Sequence, residues 1–138
     1  MATKLESDQE AIGRILEALL DNGLGSARFD SSRDGLKLLH MDDEQKAMDI
    51  FDDVLTWMAD EGLIRVANRY PTLSSGTTWM GVQLSSKGLA ALKKKPSENE
   101  KSVAETLSEK DGDLAPAAYS RLGALFGGFV GGAIQTLS

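Results

Sequence analysis

The stretch 42–70 constrains the fold most, because a long amphipathic helix runs through one glycine directly into an aliphatic strand. Apolar residues recur at steps of three and four from Ala47 to Met58, which is the spacing of a single helix face. Gly62 is placed to end this helix, and residues 63–70 have the composition of a strand. The pattern therefore predicts an α+β domain rather than a purely helical bundle.

A second strand is predicted at 77–84, where β-branched and aromatic residues are frequent. The residues between the two predicted strands, 71–76, are rich in turn formers. A β-hairpin with a long tip is the arrangement that this order favours. A short helix is predicted after the hairpin, with Leu89 and Leu92 on one face.

Another amphipathic helix is predicted near the start of the chain. Ser7 and Glu10 have the spacing of a capping box, and Asn22-Gly23 supplies a left-handed stop. The residues that follow, 24–41, show no clear period. A short second helix and a strand both remain open for that segment.

Three regions follow from these patterns. We predict a mostly α-helical domain with a small β-hairpin and a three-helix core at 5–92, then a charged linker at 93–114. The linker prediction rests on a mixed-charge stretch whose only sizeable aliphatic residues, up to residue 113, are Val103 and Leu107. The remaining residues, 115–138, are predicted to form a glycine-rich helical tail.

The order of these elements resembles that of winged-helix domains, and most closely that of small uncharacterised winged-helix proteins of bacterial phages and prophages. The resemblance covers roughly 10–92 and is carried by two motifs. They are the helix-to-strand junction at 54–65, which contains Asp60-Glu61-Gly62-Leu63-Ile64-Arg65, and the close of the hairpin at 82–92, which contains Leu84-Ser85-Ser86-Lys87-Gly88-Leu89. Winged helices usually imply DNA binding, with the third helix in the major groove and the hairpin touching phosphates.

The charge of the predicted third helix argues against that usual function. Residues 42–61 contain eight acidic side chains and a single basic one, Lys46, so this helix repels phosphate. We therefore expect a non-enzymatic accessory or regulatory protein that contacts another protein through an acidic face formed by Asp49, Asp52 and Asp53. The alternative is a transcriptional regulator that contacts DNA through its hairpin, with Arg65, Arg69 and Lys87 as the candidate residues.

The C-terminal segment has small residues at four-residue steps, a pattern that lets two helices approach closely. Two rows share this spacing: Gly123, Gly127 and Gly131, and beside them Ala124, Gly128 and Gly132. Self-association into a homo-oligomer, or docking on the chain's own domain, is the preferred interpretation. Membrane insertion is the second alternative, although the apolar run, ~24 Å as a helix, is shorter than a ~30 Å hydrocarbon core.

Catalysis is disfavoured by the residues that are missing. The chain has no cysteine and one histidine, His40, so thiol chemistry and histidine-pair metal sites are excluded, and His40 is expected to be half-buried beside its leucine neighbours. No phosphate-binding loop motif occurs, and we expect no cofactor and no metal. The polar N-terminus and the lack of cysteine predict a cytoplasmic location.

Overall fold

The computed structural model describes residues 3–72 and 76–137, and describes the side chains of its last helix only as far as residue 128. The described chain is a mixed α+β structure. Its six helices are α1 (Lys4–Asn22), α2 (Ser31–Leu39), α3 (Glu44–Asp60), α4 (Ser86–Lys93), α5 (Val103–Glu109) and α6 (Pro116–Leu137). Its four strands are β1 (Ala27–Asp30), β2 (Ile64–Arg65), β3 (Asn68–Pro71) and β4 (Thr77–Leu84).

The first helix is longer than its sequence pattern predicts. It begins at Lys4, because the Thr3 side chain accepts a hydrogen bond from the Glu6 amide and so caps the first turn. The capping-box prediction at Ser7 is therefore wrong by one turn. The predicted end is confirmed, since Gly23 closes the helix at φ 61°.

The segment that showed no period contains both of the elements left open for it. β1 is a strand of four residues, and α2 follows it directly. Gly35 lets α2 approach α3 closely, because a Cβ at this position would lie 3.1 Å from the Ala47 carbonyl oxygen. His40 ends α2 in the left-handed region and is exposed, so the expectation that it would be half-buried is wrong.

The antiparallel sheet is arranged around β4. β1 pairs with one edge of β4, while β2 and β3 pair with the other edge. The predicted single strand 63–70 is thus divided into two short pieces. The division coincides with Gly81, whose positive φ of 66° bends β4 opposite Ala67.

One hydrophobic core joins the N-terminal region to the C-terminal helices. α3 buries the predicted stripe, including Phe51 and Leu55, neither of which is exposed to solvent. The predicted charged linker contains α5, which has a complete capping box at Ser102 and buries Val103 and Leu107 in the same core. These two aliphatic residues are enough to hold α5 on the domain, because other side chains of the core cover them.

The C-terminal helix packs against α1 of the same chain. Tyr119, Leu122 and Phe126 lie in the shared core. The Tyr119 hydroxyl donates a hydrogen bond of 2.7 Å to the Glu17 carboxylate, and the Arg14 guanidinium lies 4.4 Å from the centre of the tyrosine ring. The described part of the tail is therefore an integral layer of the fold.

Candidate protein-interaction surface

Most acidic side chains of α3 lie outside its core stripe, on the exposed side of the helix. Asp43 caps the helix by accepting a hydrogen bond from the Lys46 amide, which fixes where the helical register starts. With that register, Asp49 and Asp53 are exposed, and so are Asp60 and Glu61 at the helix end. The exposed surface of α3 is consequently anionic along most of its length.

Asp52 differs from the two aspartates grouped with it in the sequence. One of its carboxylate oxygens accepts a 2.9 Å hydrogen bond from the indole nitrogen of Trp79, a side chain that is only 1% exposed. Desolvation raises the pKa of Asp52, and hydrogen bonds from Trp79, Ser31 and Thr77 oppose that effect. Asp52 thus accepts a hydrogen bond from the buried indole N–H of Trp79 in β4, whereas Asp49 and Asp53 project into solvent.

A lysine that the sequence pattern did not single out connects α1 to α3. The Lys4 ammonium lies 2.7 Å from the Asp8 carboxylate and 3.4 Å from the Asp53 carboxylate. The hydrogen bond with Asp8 is the largest cause of the raised pKa of Lys4. Lys4 and Asp53 are both largely exposed, at 62% and 63%, so this bridge contributes little to stability. The ion pair matters because of its position, since it lies at the rim of a groove.

The three-helix groove lies between α1, α3 and α6 and has a volume of ≈ 460 Å³. It was not predicted from the sequence. The residues that line it come from all three helices and are mainly apolar or small: Leu5, Asp8, Gln9, Ile12, Asp53, Val54, Trp57, Gly123, Ala124, Gly127 and Gly128. Trp57 is partly exposed on its wall, whereas Trp79 is buried.

The glycines predicted to allow a close helix contact have different environments. A Cβ at Gly123 would collide with the carbonyl oxygen of Gln9, and a Cβ at Gly13 would collide with that of Tyr119. This pair of glycines lets the backbones of α1 and α6 touch. Gly13, which the sequence analysis missed, has no periodic partner in α1 that would have identified it.

The remaining members of the glycine pattern do not take part in that contact. Gly127 faces the groove, where its Cβ position is 4.0 Å from the Trp57 ring, and Gly128 has open space around it. Ala124 is exposed on the groove rim. Gly131 and Gly132 lie in the part of α6 whose surroundings are not described.

The three basic residues proposed for DNA contact come from separate elements, β2, β3 and α4. Arg65 is exposed on β2, and Arg69 on β3 places its guanidinium 5.2 Å from the centre of the Trp79 ring. The Lys87 ammonium donates a 2.8 Å hydrogen bond to the Glu61 carbonyl. Two of the three cations therefore already have partners within the fold.

Metal-ligand clusters and membrane-spanning helices are both absent from the described residues. Within 3–72 and 76–137, no group of three or more histidine or acidic side chains is arranged to hold a metal ion. Over that same part of the chain, no helix combines the length and the apolar character needed to cross a membrane.

Comparison with known proteins identified no relative. The chain matches no protein-family model, no curated protein sequence and no solved structure. Any functional assignment therefore rests on the geometry and charge described above.

Proposed function

We propose that this chain is a non-enzymatic accessory protein of winged-helix type, like those of phages and prophages, and that it acts by binding another protein. The observation that carries this proposal is the charge of α3. Its exposed aspartates form an anionic surface on the helix that a DNA-binding winged-helix domain would place in the major groove, close to the DNA backbone. A surface of that sign favours a cationic protein partner over a nucleic acid.

The order of elements supports the winged-helix assignment. α1, β1, α2 and α3 precede an antiparallel hairpin, and β1 joins the far edge of that hairpin. This is the succession of helices and strands expected for the resemblance noted in the sequence. α4, α5 and α6 then extend the domain. We therefore infer that the main role of the tail is to pack against α1 of its own chain. Homo-oligomerisation through the remaining small residues of α6 stays a prediction.

A fluorescence anisotropy titration with random duplex DNA tests the proposal against its main alternative. At physiological salt we expect a Kd weaker than the ~10⁻⁴–10⁻⁶ M typical of non-specific DNA binders. Tight, salt-sensitive binding that is lost in the variant Arg65→Ala/Arg69→Ala/Lys87→Ala would show instead that the hairpin is a DNA-binding wing.

A pull-down from nuclease-treated lysate of the native host tests the positive part of the proposal. We expect a host protein to be retained by the wild-type chain and lost from the Asp49→Lys/Asp53→Lys variant. An Asp111→Lys/Asp113→Lys variant is the matched control, because it changes net charge equally at exposed positions outside α3. Equal loss in both variants would exclude α3 as the binding surface.

A further inference from the structure

We propose that the three-helix groove binds a cationic amphipathic helix of a partner protein. This inference rests on the proposed function, because it names the place and the chemistry of the protein contact. Three properties of the groove support it: an apolar floor, an open rim and an excess of negative charge at one edge.

The floor of the groove is formed by apolar side chains that already belong to the core. Ile12 of α1 is 8% exposed and Val54 of α3 is 3% exposed. Trp57 supplies a partly exposed aromatic wall, and Gly127 supplies a wall without a side chain. Tryptophan in a small, well-packed depression is the residue type most often responsible for binding energy at protein interfaces.

Over the residues whose side chains the structure describes, the rim of the groove is open along α1 and α6. Leu5 is 64% exposed, and Ala124 and Gly128 are exposed on the opposite side. Sites for small molecules usually enclose most of the ligand surface, and this groove does not. A helix laid along the groove would cover Leu5 while placing apolar side chains on Ile12 and Trp57, which is the helix-in-groove mode of recognition.

The negative charge at the α1–α3 edge favours a partner with positive charge. Asp8 and Asp53 line the groove there, and among the described residues Lys4 is the cation that bridges them. The exposed Asp49 lies one turn from Asp53 on the same helix. A partner helix with lysine or arginine beside its apolar stripe complements this edge. A second copy of the chain fits less well, because each copy has a net charge of −6 and would present the same acidic edge.

The direct test uses the full chain and an idealised peptide of about 18 residues with leucine at helical i, i+3, i+4 and i+7 positions and flanking lysines. Anisotropy of the labelled peptide should give a Kd of about 10 µM or tighter. Binding should also protect Trp57 from acrylamide quenching, whereas Trp79 is too buried to report. A peptide with glutamate in place of every lysine should bind at least tenfold more weakly.

Two pairs of variants locate the binding. Asp53→Lys should weaken peptide binding about tenfold, while Asp21→Lys, with the same change in net charge, should change it less than twofold. Asp21 is exposed at the far end of α1, about 20 Å along the helix from Asp8, which is beyond the ~8 Å screening length. Gly127→Leu should abolish binding by filling the groove, and Ala90→Leu, at an exposed position on α4, should leave it unchanged.

Several results would overturn the groove proposal. They are no binding of the lysine peptide, equal binding of the glutamate peptide, and equal weakening by Asp53→Lys and Asp21→Lys. A dimeric mass in light scattering that Gly127→Leu converts to a monomer would assign the groove to a second copy. Co-sedimentation with anionic phosphatidylserine vesicles, lost in Gly127→Leu, would assign it to a lipid surface.

The outcome for the groove is separate from the outcome for the proposed function. If the peptide does not bind while duplex DNA also fails to bind and a host protein is still retained, only the groove is excluded. If duplex DNA binds tightly through the hairpin, the proposed function itself fails.

Discussion

The Asp52 carboxylate lies between solvent and the buried indole of Trp79, and it shows how one residue can differ from identical neighbours. Asp49 accepts a 2.9 Å hydrogen bond from the Gln45 amide and Asp53 lies 3.4 Å from the Lys4 ammonium, both at exposed positions. Asp52 accepts the hydrogen bond of an indole that has been removed from water. By sequence alone all three aspartates are equivalent members of an acidic face, and substitution of Asp52 or Asp53 by alanine is expected to cost little stability.

The first stability prediction separates the acceptor role of Asp52 from its charge. Asp52→Ala leaves the Trp79 N–H without its carboxylate acceptor and should lower the free energy of unfolding by about 1–3 kcal/mol. Asp52→Asn keeps an oxygen acceptor and removes a partly desolvated charge, so at pH 7 it should be at least as stable as the wild type. Urea denaturation measures both.

The pH dependence of this pair follows from the raised pKa of Asp52. Because the folded-state pKa lies above the unfolded value of about 3.9, the group contributes most stability below pH 3.9. That contribution is lost as the pH rises through the folded-state pKa. The advantage of Asp52→Asn over the wild type should therefore be largest at pH 7 and shrink toward pH 4. An advantage that grows on acidification would contradict the assigned environment.

At the scale of elements, the crossing of α1 and α6 depends on glycine where two backbones meet. Tertiary contact there outweighs the intrinsic preference of the helix, since alanine would be the better helix former by about 1 kcal/mol. Gly123 is at the contact, and Gly128, about one and a half turns further along α6, is in open space. The same helix thus contains a test position and its control.

The second stability prediction uses this pair. Gly123→Ala should lower the free energy of unfolding by about 1–3 kcal/mol, because its Cβ would overlap the Gln9 carbonyl and force the helices apart. Gly128→Ala should raise stability by about 0.5–1 kcal/mol through helix propensity alone. Thermal melts followed by circular dichroism compare them. Equal stabilisation by both changes would mean that α6 does not touch α1 in solution.

For the whole molecule, the decisive fact is that one core extends across the predicted domain boundaries. Composition divides the chain into an acidic domain, a linker and a tail, and on that division removal of 115–138 should leave a folded domain. The structure changes this expectation, because Tyr119, Leu122 and Phe126 are buried in the same cluster as Ile15 and Leu16.

The third prediction is that deletion of 115–138 destabilises the remainder of the chain. Each large apolar side chain contributes about 1.5–3 kcal/mol on burial, so losing three of them is comparable with the ~5–15 kcal/mol total stability of a domain. We expect a lower melting temperature and increased binding of a hydrophobic dye. A truncated chain that melted at the wild-type temperature would show that the tail is a separate unit.

The sequence by itself determined the elements whose pattern is local. Three such elements are each encoded within about 20 residues, and the structure confirms them: the apolar stripe of α3, the end of α1 at Gly23 and the strand at 77–84. The acidic character of α3 can also be read from the sequence, because the charge of a side chain can be assigned without knowing its contacts. The α+β class follows from these local patterns, because helical and strand periods differ.

Only the tertiary structure decided the contacts that make the candidate site. Lys4 meets Asp53 across 49 residues, Trp79 meets Asp52 across 27, and Gly13 meets the backbone of Tyr119 from the opposite end of the chain. No period links such residues, since their proximity follows from how three helices pack. The groove exists for the same reason: its walls come from α1, α3 and α6, which are adjacent in space and distant in sequence.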